Sequence, residues 1–226
     1  MRKVLVFSFA VLMVAGVASA DLTVDEIIAN IQSRQGVIED MSADTVTKIT
    51  SSIKGAPEMT QKGKILTKYP DKSRVEVFSP AHQVTITDGS KVTVIDKTTG
   101  QRYENEMAEG QMANSGGQAD FEKAKEYFNF EAEQAADSYI ITGTPRDDNK
   151  LIGKMEFYVN AETWQPKMVK VYTPAGQLIS QSELFYTDFD GIPVMTKNIS
   201  TVSMPQGQMR MEMSYENVKV NQGVDE

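Results

Sequence analysis

The sequence predicts a mainly β domain with helices, built on a strongly curved antiparallel sheet whose concave side is filled by lid or plug helices. Three observations lead there. About ten segments alternate apolar and polar residues, the signature of half-buried strands. The turns between them are short and rich in Asp, Asn, Gly and Pro, and turns that short join antiparallel neighbours. Only two stretches have helical spacing. An antiparallel sheet with that many strands curls or closes instead of staying flat, and the helices then belong on its concave side.

The first twenty residues stand apart. Arg2 and Lys3 precede an apolar run, Val4 to Val17, and Ala18-Ser19-Ala20 supplies the small residues of a cleavage site. The run falls short of the ~20 residues that span a bilayer. Residues 1–20 therefore read as a signal peptide cleaved after Ala20, which marks residues 21–226 as one exported domain. Without Arg2 and Lys3 the remainder holds 21 basic and 31 acidic residues, a net charge of −10. Such a chain, with no basic stripe, does not suit nucleic acid or anionic lipid headgroups. It contains no cysteine, so neither a lipid-anchoring cysteine nor a disulfide is available.

Thr23 and Glu26 form a capping box ahead of Val24, Ile27, Ile28 and Ile31, which share one helical face. Gly36 interrupts this helix, and Val37, Ile38 and Met41 extend its stripe. Strands are expected over 44–54, 59–69 and 73–78, with Val75 and Val77 on one face. In "VTITDGSKVTVIDKTTGQ", Val84 and Ile86 are expected to be joined on their face by Val92 and Val94 across the Asp88-Gly89 turn. Residues 104–118, with three glycines, Met107 and Met112, read as a mobile loop. Asp120 then caps a short helix with Phe121, Ala124 and Phe128 on one side. Further strands follow over 138–143, 153–159, 167–173, 177–186, 194–203 and 208–220. In "QMRMEMSY", Met209, Met211, Met213 and Tyr215 fall on one strand face. Methionine adapts to irregular apolar partners, so that row is either a binding surface or the packing face of a helix.

Nothing in the chain organises catalysis. His82 is the only histidine and sits in a turn, so a Ser-His-Asp site or a zinc site of ordinary ligands is not expected. Asp188 and Asp190 in "TDFDGIP" fit turn chemistry, and "RDDNK" lacks the glycine and closing glutamate of a calcium loop. No cofactor, metal or enzymatic activity is expected.

Taken in order, "TVDEIIANIQSR", "GKILTKYPDKSRVEVFSP", the Asp-Gly hairpin, "MEFYVNAETWQPKMVKVYTPAGQLI", "DGIPVMTKNIS" and "YENVKVNQGVDE" resemble the periplasmic outer-membrane lipoprotein carriers and lipoprotein-sorting proteins of the LolA-like family. Tyr69 stands before Pro70 where such carriers often have arginine; Arg74 matches a second basic position, and Thr93 and Ile95 replace an aromatic pair. The resemblance implies an unclosed β-barrel with helices over an apolar concave face. It implies a monomeric carrier of acylated lipoproteins or lipids, with an inner-membrane donor complex and an outer-membrane acceptor. The cavity lining is then expected to include Val75, Val77, Val84, Ile86, Val92, Val94, Met155, Phe157, Met209, Met211 and Met213. Ile27, Ile31, Phe121 and Phe128 form the lid, with Arg74 as a gating or polar contact. A lipid or glycolipid shuttle and an envelope-stress sensor on the same scaffold are the alternatives; such sensors carry a second C-terminal domain, for which a chain ending at Glu226 leaves no room.

Overall fold

The computed structural model describes residues 22–106 and 121–224. The signal segment, Met107, Met112 and Asp120 lie outside them.

Helix α1 (Val24–Gln35) begins where its capping box predicts. The Thr23 hydroxyl accepts from the Glu26 amide at 3.3 Å, and the Glu26 carboxylate accepts from the Thr23 amide at 2.8 Å, so two otherwise orphaned donors are satisfied. Ile27, Ile28 and Ile31 are fully buried. The helix ends at Gly36, whose amide bonds the Gln32 carbonyl at 2.7 Å. Ile38 and Met41 do not prolong it; the chain is already extended when β1 (Asp40–Ser51) starts.

The sheet continues with β2 (Met59–Lys68), β3 (Lys72–Ser79), β4 (Gln83–Asp88), β5 (Lys91–Asp96) and β6 (Arg102–Glu106). After the one-turn helix α2 (Phe121–Ala124) come β7 (Phe128–Ala135), β8 (Ser138–Pro145), β9 (Lys154–Asn160), β10 (Pro166–Tyr172), β11 (Leu178–Phe189), β12 (Ile192–Met204) and β13 (Gly207–Val220). Phe128 therefore belongs to a strand and not to the helix before it. β6 and β7 exceed the strands expected, because their alternation is carried by Tyr, Asn, Phe and Ala among glutamates instead of by Val and Ile.

All thirteen strands form one antiparallel sheet in the order β6-β5-β4-β3-β2-β1-β13-β12-β11-β10-β9-β8-β7. Every neighbour in the sheet is also a neighbour in sequence, except that β1 pairs with β13. The two ends of the described chain thus meet mid-sheet, and the sheet is left unclosed between β6 and β7. At the β2–β3 irregularity a Cβ on Gly63 would lie 2.2 Å from the Glu76 carbonyl oxygen, so only glycine lets the backbones approach there.

Two apolar clusters mark the inner side of the sheet. In the first, Ile27, Ile28, Ile31 and Phe121 pack on Ile141, Met155, Phe157 and Val159, with Val169 and Val171 at its margin. Phe121 meets Phe157 and Phe130 edge-to-face, at 5.2 and 5.9 Å between centroids. The second cluster gathers Ile38, Met41, Ala43, Ile65, Val194 and Tyr215, bordered by Val75 and Met213. Burial pushes the Tyr215 phenol up to about 12. On the same face the Thr67 hydroxyl is fully buried with no hydrogen-bond partner among the described residues. Thr67→Val keeps the shape and removes that stranded group, so it is expected to raise unfolding stability by about 1 kcal/mol. A urea titration in which the variant is less stable than wild type would contradict this.

Candidate functional site

Strand register fixes which side chains share the inner side. Cross-strand partners stand on the same face of a sheet, so rows can be followed from strand to strand. One row runs Met59, Ile49, Met211, Ser200, Ser182, Val169, Phe157, Ile141 and Ala132. The next runs Ser51, Met209, Val202, Ser180, Val171, Met155, Gly143 and Phe130. A third crosses the other wing as Ala43, Ile65, Val75, Thr85, Val94 and Tyr103. None of the side chains in these rows is charged.

Charged pairs stand on the outer side of the central strands. There Lys48 pairs with Glu212, Asp44 with Lys64 and Glu216, and Lys170 with Glu156. The Glu212 carboxylate is held at about 2, well below its ordinary 4.5, by hydrogen bonds from Lys197 at 2.6 Å and Arg210 at 2.9 Å. A carboxyl pKa lowered by folding contributes stability that is present above the ordinary value and lost as pH falls from there through about 2. Glu212→Gln should accordingly flatten the pH dependence of the unfolding midpoint between about 4.5 and 2. Equal slopes for variant and wild type would show that the bridge adds nothing.

The helices cover only part of the inner side. α1 and α2 lie over β7 to β10, where Met155 and Phe157 are buried beneath them. Over β1, β2 and β13 the inner side is open only toward the Met59 end, where Met59 is 39% exposed and Met211 37%, against 0% for Ile31; toward the other end Met41, Ala43, Ile65 and Tyr215 are buried in the second cluster. Met209, Met213, Val75, Val77, Val92 and Val94 are half-buried.

Several expected site residues are placed elsewhere. The loop of the β4–β5 hairpin is Gly89-Ser90, closed by Asp88 opposite Lys91. A two-residue loop pairs even positions with odd ones, so Val84 and Ile86 face Ile95 and Thr93, not Val92 and Val94. Glu76 and Arg74 oppose Val84 and Ile86 from β3, which puts all four on the outer side. Val75, Val77, Val92 and Val94 keep the inner side. Arg74 bonds Glu76 at 2.7 Å and borders an outer pocket of about 210 Å³ with Leu66, Lys72, Ile86, Asp88 and Val224. That placement puts it on the face opposite the one the helices cover.

His82 is half-exposed and bonds Glu76 at 2.7 Å, edge-on to Phe78. Asp188 accepts from the Gly191 amide at 2.8 Å, as its turn requires. Among the described residues no group of three or more His, Asp or Glu side chains is placed to hold a metal ion. No described helix is long and apolar enough to cross a membrane.

The sheet is unclosed, and one of its faces carries uncharged rows that are partly roofed by helices. The chain belongs to the outer membrane lipoprotein carrier protein LolA family, whose sequence model matches residues 40–183. The fold is similar to that of a LolA superfamily protein from Nitrosomonas europaea, 16% identical, with a TM-score of 0.63 over 90% of this chain and 96% of that one. It is also similar to a putative outer membrane lipoprotein-sorting protein domain from Vibrio parahaemolyticus, 14% identical, TM-score 0.65, covering 89% and 95%. A DUF1329 family protein from Desulfovibrio piger gives 14%, 0.64, 89% and 95%. No curated protein matches the sequence.

Proposed function

We propose that the chain is a periplasmic carrier that takes the acyl chains of lipoproteins onto its inner face and ferries them to the outer membrane. The observation behind this is the row of uncharged inner side chains left open where Met59 on β2 and Met211 on β13 flank Ile49 on β1. A lipoprotein with three ~16-carbon chains exposes roughly 45 methylenes at ~0.8 kcal/mol each, about 35 kcal/mol. Crossing water uncovered is prohibitive at that cost, and an apolar surface that needs no covalent chemistry removes it.

Magnitudes also favour one half of the sheet. Undocking Ile27, Ile28, Ile31 and Phe121 would expose four fully buried side chains at about 1.5–3 kcal/mol each, roughly 6–12 kcal/mol. That matches the whole stability of a typical domain, ~5–15 kcal/mol. Cargo in this reading occupies the open half, with Met59, Ile49, Met209, Met211, Met213, Val75 and Val94 as its lining, and the helices over β7–β10 stay docked.

The test is native mass spectrometry of the mature protein isolated gently from the periplasm of its own host. A co-purified acylated protein or lipidated N-terminal peptide supports the carrier reading. Free phospholipid or glycolipid moves the function to a lipid shuttle. An empty protein that also takes up no acyl chains on titration overturns binding on this face.

A further inference from the structure

The inner side is not uniformly apolar: besides Ser51, Thr67 and Thr85, it carries a hydrogen-bonded group of polar side chains on β11 and β12. Ser180 and Ser182 stand there between Val171 and Val169 on β10 and Val202 and Ser200 on β12. Asn198 stands between Leu184 and Met213. These polar side chains are linked: the Ser182 and Ser200 hydroxyls lie 2.8 Å apart, and Ser200 donates to the Asn198 Oδ1 at 3.0 Å. With Oδ1 engaged, the Asn198 Nδ2 keeps its two N–H donors, which have no partner among the described residues. Serine and asparagine weaken a strand, where valine or isoleucine strengthens it. A relay of hydroxyls ending in an amide donor, at the border between the roofed and open halves, is therefore a poor choice for the sheet itself.

Its position fits the polar joint of an acylated molecule. On one side lie the helix-covered Val169, Phe157 and Met155; on the other lie Met209, Met211, Met213 and Ile49 of the open half. An alkyl chain stretched over the methionines brings its carbonyl linkage to this strip. The strip holds no charge, so it suits a neutral acceptor and not a phosphate or carboxylate, which an uncharged, partly desolvated site would bind poorly.

We propose that Asn198, supported by Ser200 and Ser182, donates to the ester or amide carbonyl through which the ligand's acyl chain is attached, so that the inner face recognises the acyl linkage as well as the chain. This rests on the acyl-binding reading above and adds a chemical selectivity to it.

The experiment compares two probes of equal chain length and headgroup, 1-palmitoylglycerol and 1-hexadecylglycerol, which differ in the carbonyl. Binding to the full mature chain is measured by calorimetry below the micellar range. Wild type is expected to favour the ester about 3- to 10-fold, the range one net hydrogen bond spans. Asn198→Leu should abolish that preference while still binding the ether, which also shows that the variant is folded. Ser200→Thr, which keeps a hydroxyl on a strand-favouring residue, should retain the preference. Equal binding of the two probes by wild type, or a preference that survives Asn198→Leu, overturns the linkage contact but leaves acyl binding standing. Failure of wild type to bind either probe overturns the acyl-binding reading itself, and this inference with it.

Discussion

Met211→Asp is expected to lower the affinity for long-chain acyl probes at least 30-fold, about 2 kcal/mol, with little change in fold. Met211 lies in the middle of the open inner row, between Ile49 and Ser200, and is 37% exposed. Its present exposure limits the folding cost to the loss of strand propensity, up to about 1 kcal/mol. An alkyl chain laid across it would bury the new carboxylate, and aspartate is too short to reach water around the ligand's edge. Met211→Thr removes apolar area without adding charge and should give a smaller loss. Arg210→Ala, one residue away on the outer side, should leave binding unchanged. Fluorescence titration with a labelled palmitoyl probe reads all three. Undiminished binding by Met211→Asp would place the ligand away from the methionine row.

The second large effect is on stability. Phe121→Ala should lower the unfolding free energy by about 3–5 kcal/mol. Phe121 is 1% exposed, seals the space between α1 and β9, and makes two edge-to-face ring contacts. Neighbouring side chains are unable to fill the void, because Ile27, Ile31, Met155 and Phe157 are already packed around it. The fall should appear in the urea midpoint with the slope unchanged, since α1 and the sheet then unfold together. An unaltered midpoint with faster amide exchange in α1 would instead mark the helices as a separately opening unit, reviving the mobile lid that the burial of three isoleucines argues against.

Most of the architecture was legible because strand and helix periods are local properties. The capping box at Thr23 and the alternation from Met209 to Tyr215 both stand in the structure as they read in the sequence. Which face a strand presents inward is not local. It depends on loop length, and the two-residue Gly89-Ser90 loop sends Val84 and Ile86 to the side opposite Val92 and Val94. The expected lining is affected most by this, since half of the hairpin's residues fall on the opposite face of the sheet, where Val84 is nonetheless buried. The serines of β11 were overlooked for a different reason. In Ser180-Gln181-Ser182-Glu183 both faces are polar, and the alternation that marks a half-buried strand is missing. Such a break in alternation was the available signal for the polar strip.

The pairing of β1 with β13 has a consequence for how the chain comes to be folded. Every other ladder joins sequence neighbours, so β2 to β6 and β7 to β12 each zip up from hairpins that need only local encounters. The seam between Asp40–Ser51 and Gly207–Val220 must close a loop of more than 150 residues, the slowest encounter the topology demands. Until it closes, β1 and β13 each expose one unpaired edge, with Met41 and Ile49 on the inner face of the first and Met209, Met211 and Met213 on that of the second. A chain emerging amino-terminus first thus has β1 paired with β2 on one edge while its other edge waits for β13. The proposed binding surface and the period of greatest aggregation risk share the same residues, and the acidic balance of the remainder helps keep copies apart while they wait.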